Sequence, residues 1–424
     1  MASKSTPSKK VQRAKNKSRP ISTTALSEPV VAETSAAASF SAFSRSGLFF
    51  AHIALAVDKH RLRVFDTESS KSIAESVFQN SRVSAVHWAL LPSSGADDSA
   101  GADAAGDENT SRKRKKRKSI SGRENSTEDL IIIGFSNGTL AIFSPKQGEV
   151  VRTLSTTSSN DAIFSITSNP APSSSPNPQL WSSSANGSIY SWDARTGNLL
   201  ATWKISKNTN TPYTAIAIHP STTDDDASRL LAARHRIQLF STSHTETDAP
   251  RESASVTGHA SPVICLDWAP SPGSELAQTF ISAAEGDRFA CIWRVPEAET
   301  DEDEEDNEGD VLEGTLIASI PFDADVRSVG YTSASSIAPS KPLAYGLSSS
   351  GALRIFTAPS ALSAGRLAPH TSVEGTSITT SPGSPPIVSL HFDVQRPGSV
   401  QLARLVTGVK PVFERIVSLT STHP

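Results

Sequence analysis

Gly134-Phe135-Ser136-Asn137-Gly138 has the G-x-S-x-G spacing that presents a nucleophilic serine on a strained strand-to-helix turn. Here a second apolar strand, Thr139-Leu-Ala-Ile-Phe143, follows, so Ser136 reads as part of a hairpin turn. A second set is His259, Ser282, Asp287 and Trp293. Its His, Ser and Asp have the chemistry of an acyl-transfer triad. The same four types also build a buried hydrogen-bond network that ties neighbouring strands together, and that is the reading adopted. Cys265 and Cys291 form no CxxC pair, and no His cluster has zinc spacing, so no metal, disulfide or redox site is expected. No phosphate-cradling glycine loop, HExxH pair or G-x-G-x-x-G occurs. The expectation is a non-enzymatic protein with no catalytic residue, no cofactor and no small-molecule substrate.

The remaining chemistry is charge. A formal net charge of -3 conceals three blocks. The first, from Lys4 to Arg19, carries Lys9, Lys10, Arg13, Lys15, Lys17 and Arg19 and no acid. The second is the uninterrupted run Arg112, Lys113, Arg114, Lys115, Lys116, Arg117 and Lys118. The third, Glu297 to Asp310, is acidic with no base and reads as a solvated insertion. Cation runs of this kind serve nuclear import or polyanion binding. No aromatic is interleaved with either basic run, so phosphate contact is expected of them and base stacking is not. The segment after Arg19 lacks an apolar signal core, and no stretch approaches eighteen apolar residues. A soluble chain of a reducing compartment, with no membrane partner, is expected.

What positions these residues is a repeat. An apolar strand, a small-residue or Asn-Gly turn and a strand with an aromatic near its end recur at 54–66, 131–144, 180–193, 230–241, 280–294 and 343–357. The aromatic anchors are Phe65, Phe143, Trp192, Phe240, Trp293 and Phe356. Alternating strands precede these hairpins, for example "RVSAVHWAL" and "PVICLDWAP", and a seventh, less regular unit spans 402–419. No helical period appears. Setting aside 1–38, 93–128, 297–313 and 359–384 as an arm and insertions leaves roughly 300 residues, about 44 per unit for seven units, against the ~40–45 of a WD-type propeller blade. The expected fold is all-β: a seven-bladed β-propeller over 39–420, with a disordered basic N-terminal arm (1–38), a basic insertion in blade two (93–128), an acidic insertion in blade five (297–313), a loop at 359–384 and a tail at 421–424.

The Trp192-Asp193 dipeptide, and Gly258-His259 followed by Asp287 and Trp293, resemble WD-repeat signatures. Further features add to this: the Lys/Arg insertion in the second unit, "DLIIIGFSNGTLAIFSPKQGEVVRTL" after it, "GHASPV" later and a closing "PVFERIVSL". Together these make residues 40–420 similar to the propeller of the U three protein five family, subunits of the UtpA assembly in the small-subunit processome. Members of that family continue into a C-terminal helical assembly domain, and no counterpart is read before Pro424. The resemblance implies a nucleolar ribosome-biogenesis scaffold. It would dock other UtpA subunits and processome proteins and hold the 5′ external transcribed spacer of pre-ribosomal RNA during early maturation of the small subunit. Two other readings use the same fold. Trp192-Asp193-Ala194-Arg195 fits the W-D-x-R pattern of cullin ubiquitin-ligase substrate receptors, and the acidic insertion suits a nuclear propeller that binds histones or basic peptides.

Overall fold

A computed structural model describes residues 41–55, 59–79, 81–92, 127–156, 161–169, 179–204, 212–220, 228–242, 250–270, 278–295, 311–332, 343–357, 375–378, 384–393, 399–406 and 410–417. Among them every regular element is a strand.

The strands form seven sheets, each antiparallel and built from consecutive chain except that a two-residue strand, Leu312–Glu313, joins the edge of the fourth sheet in parallel. Blade one holds β1 (Ser41–Phe43), β2 (Phe49–Leu55), β3 (His60–Asp66) and β4 (Ser72–Phe78). Blade two holds β5 (Val83–Pro92), β6 (Thr127–Phe135), β7 (Leu140–Ser144) and β8 (Glu149–Leu154), and blade three β9 (Ile163–Ser168), β10 (Gln179–Ser184), β11 (Ser188–Asp193) and β12 (Leu199–Lys204). Blade four is β13 (Ala215–Ile218), β14 (Ser228–Ala233), β15 (Arg236–Thr242) and β16 (Arg251–Thr257). Blade five is β17 (Val263–Trp268), β18 (Thr279–Ala284), β19 (Phe289–Arg294) and β21 (Thr315–Pro321), with the two-residue β20 (Leu312–Glu313) set before its last strand. Blade six is β22 (Val326–Tyr331), β23 (Leu343–Ser348), β24 (Leu353–Thr357) and β25 (Gly375–Ile378). Blade seven has three described strands, β26 (Ile387–Phe392), β27 (Ser399–Val406) and β28 (Lys410–Val417).

Closure follows from where the apolar side chains go. A single blade is apolar on both faces and must be covered on both. Seven buried clusters do this, one between each successive pair of blades. Ile53, Leu62, Ile131 and Phe143 join blades one and two, and Ile142, Leu140, Tyr190 and Trp192 join two and three. The ring returns through Leu353, Ile355, Phe392 and Leu402 between blades six and seven, then Phe43, Phe50, Phe65 and Ala403 between seven and one.

The recurring aromatic has a geometric cause. In five blades the register with the fourth strand shifts immediately before it, at Val64/Phe65, Ile142/Phe143, Ser191/Trp192, Leu239/Phe240 and Ile292/Trp293. A bulge re-aims a side chain, and each of these rings ends buried in an interblade cluster. The Asn-Gly hairpins fold as expected: Gly138 and Gly187 both have φ of 80°, the left-handed conformation that such turns require.

Two stretches read as insertions contain strands. Residues 375–378, inside the segment taken as a loop at 359–384, pair with β24 as the fourth strand of blade six. Leu312 and Glu313, assigned to the acidic insertion, pair in parallel with Ala254 and Ser255 on the outer edge of blade four. Neither has an apolar alternation to read. Each is held by an edge that the preceding strand leaves open.

Antiparallel order also fixes the two faces of the ring. Links from first to second strand, and from third to fourth, lie on one face; the rest lie on the other. The strand ends that flank 93–126, 296–311 and 358–374 all open on the first, and it is called the insertion face below.

Candidate functional site

The four residues singled out in blade five come together. Gly258-His259 lies in the link entering the blade, Ser282 on β18, Asp287 in the turn after it and Trp293 on β19. His259 Nδ1 is 2.8 Å from Asp287 Oδ2, and its Nε2 is 2.8 Å from Ser282 Oγ. Trp293 donates its indole N–H to Ser282 Oγ at 2.7 Å. One proton arrangement satisfies every atom: the indole gives to the hydroxyl, the hydroxyl to Nε2, and Nδ1–H to the carboxylate. The ring of Phe289 stacks on His259 with centroids 6.0 Å apart. Gly258 is required by the same packing, because a Cβ there would sit 2.5 Å from the Trp293 ring.

These contacts have the connectivity of a hydrolase triad without its access. Ser282 is 0% exposed, and its oxygen already accepts the indole N–H of Trp293. A nucleophile must reach a substrate; this hydroxyl is enclosed by its own blade. The arrangement locks the entry link and the second and third strands into one rigid unit. Blade three carries a shorter version, Trp192 donating to Ser182 Oγ at 3.0 Å. Ser182 was missed in the sequence, although its ten-residue lead on Trp192 nearly repeats that of Ser282 on Trp293.

Ser136 sits in the β6–β7 hairpin, donating its backbone N–H to the Arg82 carbonyl, with a strand and no helix following. Asp193 of the W-D-x-R stretch is buried and caps its own turn, accepting from the backbone N–H of Arg195 and Thr196 and from the Thr196 hydroxyl. Arg195 lies exposed on the insertion face. Both cysteines are free, and burial pushes each thiol up to about 12, which removes the thiolate that redox chemistry needs. Among the described residues no group of three or more His, Cys, Asp or Glu side chains could hold a metal, and no helix is long and apolar enough to cross a membrane.

The basic residues Lys9, Lys10, Arg13, Lys15, Lys17, Arg19 and Arg112 to Lys118 lie outside the described residues, as do 297–310 and 421–424. The stem of the second run is described. Pro92 and Thr127 are cross-strand partners at the end of the β5–β6 ladder, so the insertion leaves and re-enters blade two at one rung on the insertion face. At that stem Glu128 accepts a hydrogen bond from Ser144 and faces Lys146 Nζ at 3.7 Å, and Asp129 accepts one from Ser46 at 2.6 Å. Sequence reading missed these acids, which follow directly on the basic insertion and are locally matched.

No family profile matches this chain, and no curated protein sequence matches it. Solved structures do match in fold. A chain in the structure described as "Crystal Structure of Mitotic Checkpoint Complex" superposes with a TM-score of 0.54 at 12% identity, covering 99% of each chain. At that identity the likeness establishes architecture, and with the seven sheets it defines the class as a seven-bladed β-propeller, a fold consistent with the WD-repeat type.

Proposed function

We propose that this propeller is a non-enzymatic scaffold of ribosome biogenesis, of the UtpA type, acting in the nucleus and nucleolus. It docks processome proteins on its rigid ring and holds the 5′ external transcribed spacer of pre-ribosomal RNA through its basic segments. The observation that carries the reading is the run Arg112 to Lys118, which lies in sequence between Pro92 and Thr127, cross-strand partners on one rung of blade two. A run of seven cations releases condensed counterions from phosphates without reading sequence. Several weak contacts from one rigid body then add through effective concentration. No residue does chemistry in this reading, and the buried Ser282 supports it.

The test is in-cell ultraviolet crosslinking of the tagged chain with sequencing of the attached RNA, for wild type and for 112–118 changed to alanine with a separate import signal supplied. Crosslinks concentrated in the 5′ leader and lost in the variant are the expected result. Crosslinks unchanged in the variant assign the run to nuclear import alone. Absence of pre-ribosomal crosslinks in wild type refutes RNA holding and turns attention to adaptor binding through Arg195, read by Arg195→Ala.

A further inference from the structure

Five of the seven first strands carry the same irregularity. Their register with the second strand skips one residue: Ser84 in blade two, Phe164 in three, Ile264 in five, Arg327 in six and Val388 in seven. Each is the second residue of its strand, so all five sit at the end that opens on the face opposite the insertion face. First strands pack on one another from blade seven through blade one round to blade six, so they are the innermost strands and the bulges surround the axis of the ring. An unpaired bulge residue is freed from the ladder and re-aimed. In four of these blades the turn between second and third strands fixes the bulge, its backbone N–H bonding the carbonyl two residues earlier: Ser136 to Arg82, Ala185 to Ala162, Glu285 to Pro262 and Ser349 to Asp325, at 2.7 to 2.9 Å.

What the bulges display is uneven. The residue before each is buried, whereas Phe164 is 38% exposed and Arg327 is exposed as well. Among the described residues Phe164 is the one large apolar side chain exposed on a first strand. Ile264 is half-buried, and Val388 is half-buried against the cluster that joins blades seven and one. No salt bridge joins exposed Arg327 to a described residue, while the acids beside it are engaged. Asp323 accepts from Ser350 at 3.0 Å, Asp325 lies 3.8 Å from Arg288, and Asp287 lies 2.8 Å from His259.

We propose that the centre of this face docks a short extended segment of a partner protein in which an apolar side chain stands next to an aspartate or glutamate. The apolar side chain packs on Phe164 and Ile264, and the carboxylate meets the Arg327 guanidinium, whose planar fork suits it. The inference rests on the protein-docking half of the scaffold reading and names what that half binds. A protein segment is favoured over RNA because Phe164 is the only aromatic among the five bulge residues, whereas base binding stacks successive bases on aromatic platforms. Aromatic and arginine anchors held on a rigid frame are what protein docking sites concentrate.

Selection of random short peptides against the full chain, followed by fluorescence polarisation of the enriched ones, tests the site. Enrichment of an apolar residue beside Asp or Glu is expected. Phe164→Ala and Arg327→Glu should each weaken such a peptide by about tenfold or more, and Arg327→Glu should prefer a version with lysine in place of the acid. Leu199→Ala, at an equally exposed apolar position (38%) on the outer strand β12, should stay within about twofold of wild type. Selection of no such motif, or equal affinity for wild type and Phe164→Ala, overturns the proposal. Competition by oligouridine that Phe164→Ala abolishes also overturns it and gives the face to RNA. Peptide binding without pre-ribosomal crosslinks refutes the ribosomal reading and leaves this one standing; crosslinks without peptide selection do the reverse.

Discussion

Ser282→Ala removes the one atom shared by two buried partners. Trp293 Nε1 loses its acceptor and His259 Nε2 its donor, in a site with no exposed surface at the serine. An orphaned buried polar group costs about 1–3 kcal/mol, and the methyl group that replaces the hydroxyl recovers little, so a loss of about 2–4 kcal/mol is expected. For the roughly 240 described residues unfolding with about 2.1 cal/mol/K each, that lowers Tm by about 4–8 °C. Thermal and urea unfolding of the purified chain would read it, with an unchanged urea slope showing that the denatured state is unaltered. The sharper form is a double-mutant cycle with Trp293→Phe. In the Ser282→Ala background the indole N–H is already an orphan, so deleting it relieves part of the cost, and a coupling of at least about 1 kcal/mol is expected. Strictly additive losses, or a Tm change under about 1 °C for Ser282→Ala, would refute the claim that these residues act as one network.

Other outcomes follow from the same geometry. Gly258→Ala drives a methyl group against the Trp293 ring and should cost about 1–3 kcal/mol by urea unfolding. Asp267, on β17, accepts the Tyr331 backbone N–H at 2.8 Å, and burial raises its carboxyl to about 7 from 3.8. The folded chain therefore holds a proton there that the unfolded chain has released, and stability should fall as pH rises from about 4 to 7. Asp267→Asn keeps an acceptor for Tyr331 and should flatten that limb of a pH-resolved urea titration. Cys265 and Cys291 should resist alkylation at pH 8 until denaturant is added, as mass spectrometry would show. Replacing 112–118 by alanine should reduce the slope of log K against log salt for single-stranded RNA by up to about 5, in filter binding across a salt series.

The second-to-third-strand hairpins were legible because each joins an apolar run, a turn that needs glycine or a small residue, and an aromatic that a bulge turns into an interblade core. First strands were legible too, since alternation persists where one side packs on a neighbour. Fourth strands were not. Arg251-Glu-Ser-Ala-Ser-Val-Thr257 and Gly375-Thr-Ser-Ile378 carry little apolar signal because an outer strand is half solvated, and tertiary pairing alone keeps them extended. The blade-five residues could be grouped from spacing. Their enclosure could not, because the choice between a triad and a strut depends on whether the serine oxygen meets solvent, and only the folded neighbours decide that.

The shared rung at Pro92 and Thr127 has a further use. Because both ends of the insertion are clamped side by side, its length is nearly decoupled from the ring's stability: doubling a flexible loop costs only about 0.6 kcal/mol. The position is a ready splice point, where a peptide tag, a fluorescent domain or a foreign RNA-binding module can be grafted between residues 92 and 127 without redesigning the disc that carries it.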